Sequence, residues 1–220
     1  MMNWANLLEA IINTLLMTCV STVIAYFIGL PIGILLYCTS KKGLKPNAII
    51  NSIIGTIVNI FRSIPCLLLI VLLMPVTSFF FGKGSWSGNW YSMIVPLVFA
   101  SFGFIARMIE QSLMEVNSGV IEAAKSLGAS NIQIVFKVLL SEAFPSLISG
   151  FAVTVVSIIG YTSFAGYIGA GGLIPEAFNE GYYGNNKLVM WVCILFIVII
   201  VQLIQEGGLF IAKLLDKRRK

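Results

Sequence analysis

Ser118-Gly-Val-Ile-Glu122-Ala-Ala-Lys-Ser-Leu-Gly128-Ala-Ser130-Asn-Ile-Gln133-Ile-Val-Phe-Lys-Val-Leu-Leu140 is a polar, small-residue interlude in a chain that is otherwise apolar. Ser118 is placed to cap a helix on which Val120, Ile121, Ala124 and Leu127 share a face, and Gly128 to end it in the left-handed conformation. Ser130-Asn-Ile-Gln133 is a capping box that opens a second helix, carrying Ile134, Val135, Val138 and Leu139 into the next apolar stretch. The pattern is helix, glycine corner, helix. Glu122 sets a carboxylate beside Ala123 and Ala124, whose side chains are small enough for another polypeptide's backbone to come close. A hairpin lying on the membrane surface with no partner fits the same pattern.

Outward from this hairpin the chain belongs in a bilayer. Of its 220 residues, 58% are hydrophobic and 10% charged, with mean hydropathy +0.96, where a soluble domain carries about 25% charged residues. The net charge of +5 is gathered at a few points rather than spread as a nucleic-acid footprint, so no nucleic-acid partner is expected. The chain has no His, which removes zincin sites, Ser-His-Asp triads and His proton shuttles. Cys19, Cys38, Cys66 and Cys193 lie in apolar stretches without a C-x-x-C pair and read as small hydrophobes, not metal ligands. Gly82-Lys83-Gly84 lacks the upstream glycine and following Ser or Thr of a phosphate-binding loop. Any ATP hydrolysis therefore falls to another polypeptide, and neither catalysis nor a cofactor is expected of this chain.

A charge at the bilayer centre costs about 2.5–3.5 kcal/mol on insertion scales, so charge-free intervals of roughly 20 residues mark spans. Five qualify: Glu9 to Lys41, Arg62 to Lys83, Lys83 to Arg107, Glu142 to Glu176, and Lys187 to Glu206. The first runs too long for a signal-peptide core and lacks a basic lead, so it is expected to be retained. Between Lys45 and Arg62, Ile49, Ile50, Ile53, Ile54, Ile57, Val58 and Phe61 recur at helical spacing, while Asn51, Gly55 and Asn59 form a polar stripe. This predicts an amphipathic helix whose stripe faces a partner or an aqueous path. Lys41, Lys42 and Lys45, then Arg107, Lys125 and Lys137, then Lys213 and Lys217 to Lys220 fall on one side of five spans. That side is cytoplasmic, which puts the N-terminus outside and the C-terminus inside. Trp86, Trp90, Tyr91, Tyr182 and Tyr183 suit an interfacial aromatic belt on the other side. The basic tail reads as an anchor to anionic lipid.

Within the spans, Gly29 and Gly33 around Pro31 signal close helix packing more than a kink. Thr154, Ser157 and Tyr161 share one face of the fourth span. They either line a route or hydrogen-bond between helices, two readings the pattern alone leaves equal. Tyr161 and Phe164, just ahead of the glycines, are the gate candidates. The run containing Gly169, Gly171 and Gly172, followed by Pro175, ends the span on the outer side, because such backbone is not tolerated against lipid. Arg62 and Arg107 sit where snorkelling to headgroups is the simplest role, and Arg107 and Glu110 are spaced for an ion pair. Five helices enclose an aqueous route poorly, which favours a dimer.

Glu122-Ala123-Ala124, three residues, Gly128, nine residues and Val138-x-Leu140 resemble the EAA loop of bacterial ABC importer permeases, EAA-x3-G-x9-I-x-L-P. Val138 stands for Ile, and Ser141 stands where Pro is usual, with Pro145 four residues on as a substitute helix stop. Asn59-Ile-Phe-Arg62-Ser-Ile-Pro65, Phe104-Ile-Ala-Arg107-Met-Ile-Glu110 and Gly166-Tyr-Ile-Gly169-Ala-Gly171-Gly172-Leu173 resemble the methionine-import permeases in particular. The resemblance implies an all-α, five-span type I importer permease, with residues 10–205 as the transmembrane domain and 206–220 as the end of the last span and the basic tail. It implies a homodimer, a cytoplasmic ATP-binding cassette subunit docked on Glu122, Ala123, Ala124 and Gly128, and an extracellular substrate-binding protein, lipid-anchored. It also implies methionine or a close amino acid as substrate, with glycine betaine as the next small zwitterion in line.

The topology has a direct check. In a chain whose native cysteines are replaced by alanine, single cysteines at Ser87 and Asn185 are expected to react with an impermeant thiol reagent in intact cells. One at Lys42 is not; labelling of all three contradicts five spans.

Overall fold

The computed structural model describes residues 4–85 and 87–216. The belt residue Trp86 and the tail Lys217 to Lys220 lie outside them. Among the described residues every regular element is helical. The first, α1 (Trp4–Thr39), has 36 residues, about 54 Å at 1.5 Å per residue, so it overhangs a hydrocarbon core of about 30 Å. Pro31 lies inside α1 without ending it. The flanking glycines face α5 (Ile94–Met114). A Cβ on Gly29 would fall 2.7 Å from Ile105 Cγ2, and one on Gly33 would fall 2.6 Å from the Ala106 carbonyl oxygen. The Gly-Pro-Gly segment is therefore a packing surface, as the sequence favoured.

Helix α5 is the centre of the bundle, with Leu97, Ile105, Ala106, Ile109 and Leu113 fully buried between α1, α2 (Ala48–Ser63), α3 (Cys66–Leu72) and α8 (Leu140–Tyr161). Asn47 caps α2 by accepting from the Ile50 amide at 3.1 Å. The apolar residues of α2 divide: Ile49, Ile53, Ile57 and Ile60 are exposed, while Val58 is buried against Leu36 and Phe102, with Ile54 and Phe61 partly buried in the same cluster. In the polar stripe Gly55 is buried, and Asn51 Nδ2 donates to the Leu36 carbonyl at 2.8 Å and to Thr39 Oγ1 at 3.1 Å. Asn51 and Gly55 thus face the bundle rather than a partner or water, while Asn59 stays exposed. In lipid, an amide gains more from a backbone carbonyl than from anything outside the protein.

Four helices are long and apolar enough to cross a membrane, and a bent pair raises the number to five. The second expected span is not one straight helix. The chain turns by 99° between α2 and α3, and Leu73 separates α3 from α4 (Met74–Phe81). Proline explains both breaks: Pro65 and Pro75 lack the N–H a continuous helix needs and disfavour helical backbone in the residue before them. From Cys66 to Phe81 the rise is about 24 Å, less than the hydrocarbon thickness.

After α5 come α6 (Ser118–Ser126), α7 (Asn131–Gln133), a π-helix (Ile134–Leu139), α8, and a 3₁₀ segment (Thr162–Ile168). Next are α9 (Leu173–Glu176), a second π-helix (Ala177–Tyr183) and α10 (Lys187–Leu215). The helical run from Asn131 to Ile168 is unbroken, so Pro145 does not take over as a helix stop, contrary to expectation. Helix α10 passes through Glu206 to Leu215 and packs on α8 where Gly208 meets Ala152.

Candidate functional site: a docking hairpin and an outer glycine loop

None of the nine residues of α6 is buried. Its cap is Asn117, whose side chain accepts from the Gly119 amide at 2.8 Å, so Ser118 is the first helical residue rather than the cap. At the other end Gly128 takes φ +78°, with the Gly128 amide bonded to the Lys125 carbonyl at 2.9 Å and the Ala129 amide to the Ala124 carbonyl at 3.1 Å. These two bonds form a Schellman closure. The predicted capping box follows, Ser130 N to Gln133 Oε1 at 2.9 Å and Gln133 N to Ser130 Oγ at 3.4 Å. The predicted apolar face divides: Ile121 and Ala124 pack against the buried Ile134 and Val135 cluster, while Val120 and Leu127 are exposed, Leu127 at 88%. Glu122 and Ala123 are also exposed. The hairpin is thus a rigid corner pinned from beneath, with a carboxylate, small side chains and an apolar tip turned outward.

Arg107 lies within α5 rather than at its end, and it makes the ion pair with Glu110 that their spacing predicts. Its guanidinium meets Glu110 Oε2 at 2.8 Å, the Gly55 carbonyl at 3.3 Å and Asn59 Oδ1 at 3.1 Å. Glu110 is 6% exposed. One cation thus ties α2 to α5 seven residues before α5 ends at Met114 and the chain turns toward the hairpin. Arg62 is exposed, its stem over Gly103, where an added Cβ would fall 3.0 Å from Arg62 Cγ. Pro65 sits at the α2–α3 bend and starts α3, its carbonyl accepting from Leu68 and Leu69. Sequence reasoning missed Asn51 and Asn59 as anchors, although their helical spacing with Gly55 marked the face that holds them.

On α8, Thr154 is fully buried and donates to the Gly150 carbonyl at 2.8 Å. Ser157 donates to the Val153 carbonyl at 2.9 Å. Both hydroxyls donate to their own helix, and the Thr154 side chain also meets the Tyr26 hydroxyl of α1. Ser157, Tyr161 and Phe164 keep partial exposure, and the two rings rest on the buried Met17, Leu97 and Ile158 cluster. Gly169, Gly171 and Gly172 adopt φ of +66°, +74° and +109°, which only glycine takes without strain. The loop is fastened to the first helix by a bond the sequence did not reveal, the Leu173 amide to Thr14 Oγ1 at 2.8 Å, and to the 82–90 loop by the Gly88 amide to the Ile168 carbonyl at 2.7 Å. Beyond it, burial, then Glu180 and Glu9, push the Glu176 carboxyl above its ordinary range.

The described residues thus form a bundle of long apolar helices with an exposed hairpin before α8 and a glycine-closed loop after it. Residues 29–220 match the family described as binding-protein-dependent transport system inner membrane component, and the chain belongs to that family. It is 48% identical to the methionine import system permease protein MetP of Bacillus subtilis strain 168 over 184 residues, 84% of this chain and 82% of the relative. It is 37% identical to the probable D-methionine transport system permease protein MetI of Vibrio cholerae over 212 residues, 96% and 93% of the two chains. A chain from an inward-facing structure of the MetNI methionine ABC transporter superposes with TM-score 0.92 at 39% identity, over 97% of this chain and 98% of that one.

Arg107→Leu would leave the buried Glu110 carboxylate without its partner, a loss of about 1–3 kcal/mol given the partial exposure of the arginine. Thermal unfolding in detergent is expected to fall accordingly and to recover in part in Arg107→Leu/Glu110→Gln. A double variant no more stable than the single contradicts the pair's role.

Proposed function

We propose that this chain is the permease subunit of an ABC importer that carries methionine across the cell membrane. The observation that carries the reading is α6: a capped, glycine-closed helix with no buried residue in a chain that buries or lipid-covers its other long helices. A secondary transporter or channel has no use for such an element, whereas a permease that cannot hydrolyse ATP must receive work from one that can. The partner is an ATP-binding cassette subunit seated on Glu122, Ala123, Ala124 and Gly128. The N-terminus is outside and the C-terminus cytoplasmic. Two copies enclose the route, and an extracellular binding protein, held to the membrane by lipid, delivers substrate to the outer glycine loop and the segment after it. Residues 10–205 act as one transmembrane domain, with 206–220 completing the last helix and the tail.

The route follows the partly exposed face of α8 past Ser157, Tyr161 and Phe164, with Thr154 packed beneath. No charged side chain lies along that face, so an anion finds no counter-charge, while a net-neutral zwitterion with a soft apolar side chain is accommodated. Arg107, Glu110, Arg62 and Pro65 hold the α2–α3 bend, and Gly169, Gly171 and Gly172 hold the outer end. Movement at α6 passes into α8 through the π-helix Ile134–Leu139, to which the hairpin is packed.

Glu122→Lys or Gly128→Pro is expected to leave the permease in the membrane but to reduce ATP-dependent methionine uptake by at least about tenfold. A lost charge-assisted contact or a clash at the corner is large for so small an interface. Uptake is measured in vesicles holding permease, ATPase and binding protein. Normal uptake in both variants contradicts the docking role, and glycine betaine uptake without methionine uptake contradicts the substrate.

A further inference from the structure

We propose that the hollow at the outer end of α8 is a side-chain site for the transported amino acid, in which the thioether lies among Phe164, Tyr167, Phe178 and Tyr183 while the charged head stays in water. This rests on the methionine reading above. The hollow holds about 420 Å³ and is also lined by Ser163 and Asn179, a size typical of small-molecule sites. Its two walls are unusual pieces of backbone, the 3₁₀ segment Thr162–Ile168 and the π-helix Ala177–Tyr183. Pro175 closes the floor against Gly166, where an added Cβ would lie 3.5 Å from the proline ring. Interfacial belt aromatics stand singly among headgroups; here four rings line one hollow, Phe164 and Tyr167 with centroids 6.5 Å apart. Tyr167 and Tyr183 are each 75% exposed, so their faces are open to a ligand.

The chemistry of the lining selects its occupant. No charged side chain lines the hollow, and Glu176 and Glu180 on the adjoining segment disfavour an anion. Sulfur is polarizable and is attracted to aromatic rings, which distinguishes a thioether from a plain aliphatic chain. Because Phe164 belongs to both the hollow and the α8 face, a ligand released here already touches the route. Weak binding suits a station that must also let go.

The test is photolabelling of the complete transporter, with its ATPase and binding protein, by a diazirine isostere of methionine in vesicles whose methionine uptake is measured in parallel. Label is expected between residues 162 and 184, displaced by methionine but not by an equal concentration of anionic glutamate. Tyr167→Ala, an exposed position whose truncation leaves the fold intact, is expected to lower labelling roughly two- to tenfold, the range one sulfur–aromatic contact supports. Vesicles that import methionine yet carry no displaceable label in this segment overturn the site, as does labelling unchanged by Tyr167→Ala. Vesicles that do not import methionine overturn the substrate reading instead.

Discussion

Helices already in lipid gain nothing by leaving water, so what brings them together is close fit, and in this protein the fit begins where Gly29 and Gly33 of α1 meet α5. Any side chain at either glycine would collide with Ile105, Ala106 or Ile109. With that seam closed, α5 is the most buried of the long helices and serves as the fixed axis for the rest. The same small-residue device recurs between α8 and α10 at Ala152 and Gly208. Glycine is thus spent twice on packing, and again at the outer loop and at Gly128 on backbone that no other residue adopts easily.

The second constraint is that polar groups inside the bilayer need partners within the protein. Asn51, Asn59 and Arg107 show the consequence. A helix that is amphipathic in sequence turns Asn51 and Gly55 inward, Asn51 donating to the Leu36 carbonyl and the Gly55 carbonyl accepting from the guanidinium of Arg107 on α5, which also reaches Asn59. This fixes α2 against the axis seven residues before α5 ends at Met114 and the chain turns to α6. On the far side the glycine loop is held by Thr14 and Gly88. The glycine loop is therefore fastened to α1 and to the segment that leads into α5, and it is joined to the hairpin through α8.

What the sequence made legible follows from where its signals are local. Charge-free intervals located the spans, and caps and glycines located the hairpin, because both depend on residues within a few positions of one another. The capping box at Ser130 and Gln133 and the turn at Gly128 stand as read. The helix start slipped by one residue because Asn117 competes with Ser118 for the same amides. The bend at Pro65, the inward turn of Asn51 and Gly55 and the tie from Thr14 to Leu173 depend on which helices lie beside each other, and no local spacing encodes that. The continuous helix through Ser141 and Pro145 shows the limit of a breaker rule: neighbouring turns of a long helical run hold the proline in place.

The account stands or falls on what α6 touches. A cysteine at Ala123, in a chain otherwise free of cysteine, can carry a short thiol-directed photocross-linker in native membranes, and the product can be purified and identified by mass spectrometry. The account predicts a cross-link to a polypeptide bearing a phosphate-binding loop. A chain recovered without any such partner, with the Ala123 position joined only to lipid or to a second copy of itself, would contradict it.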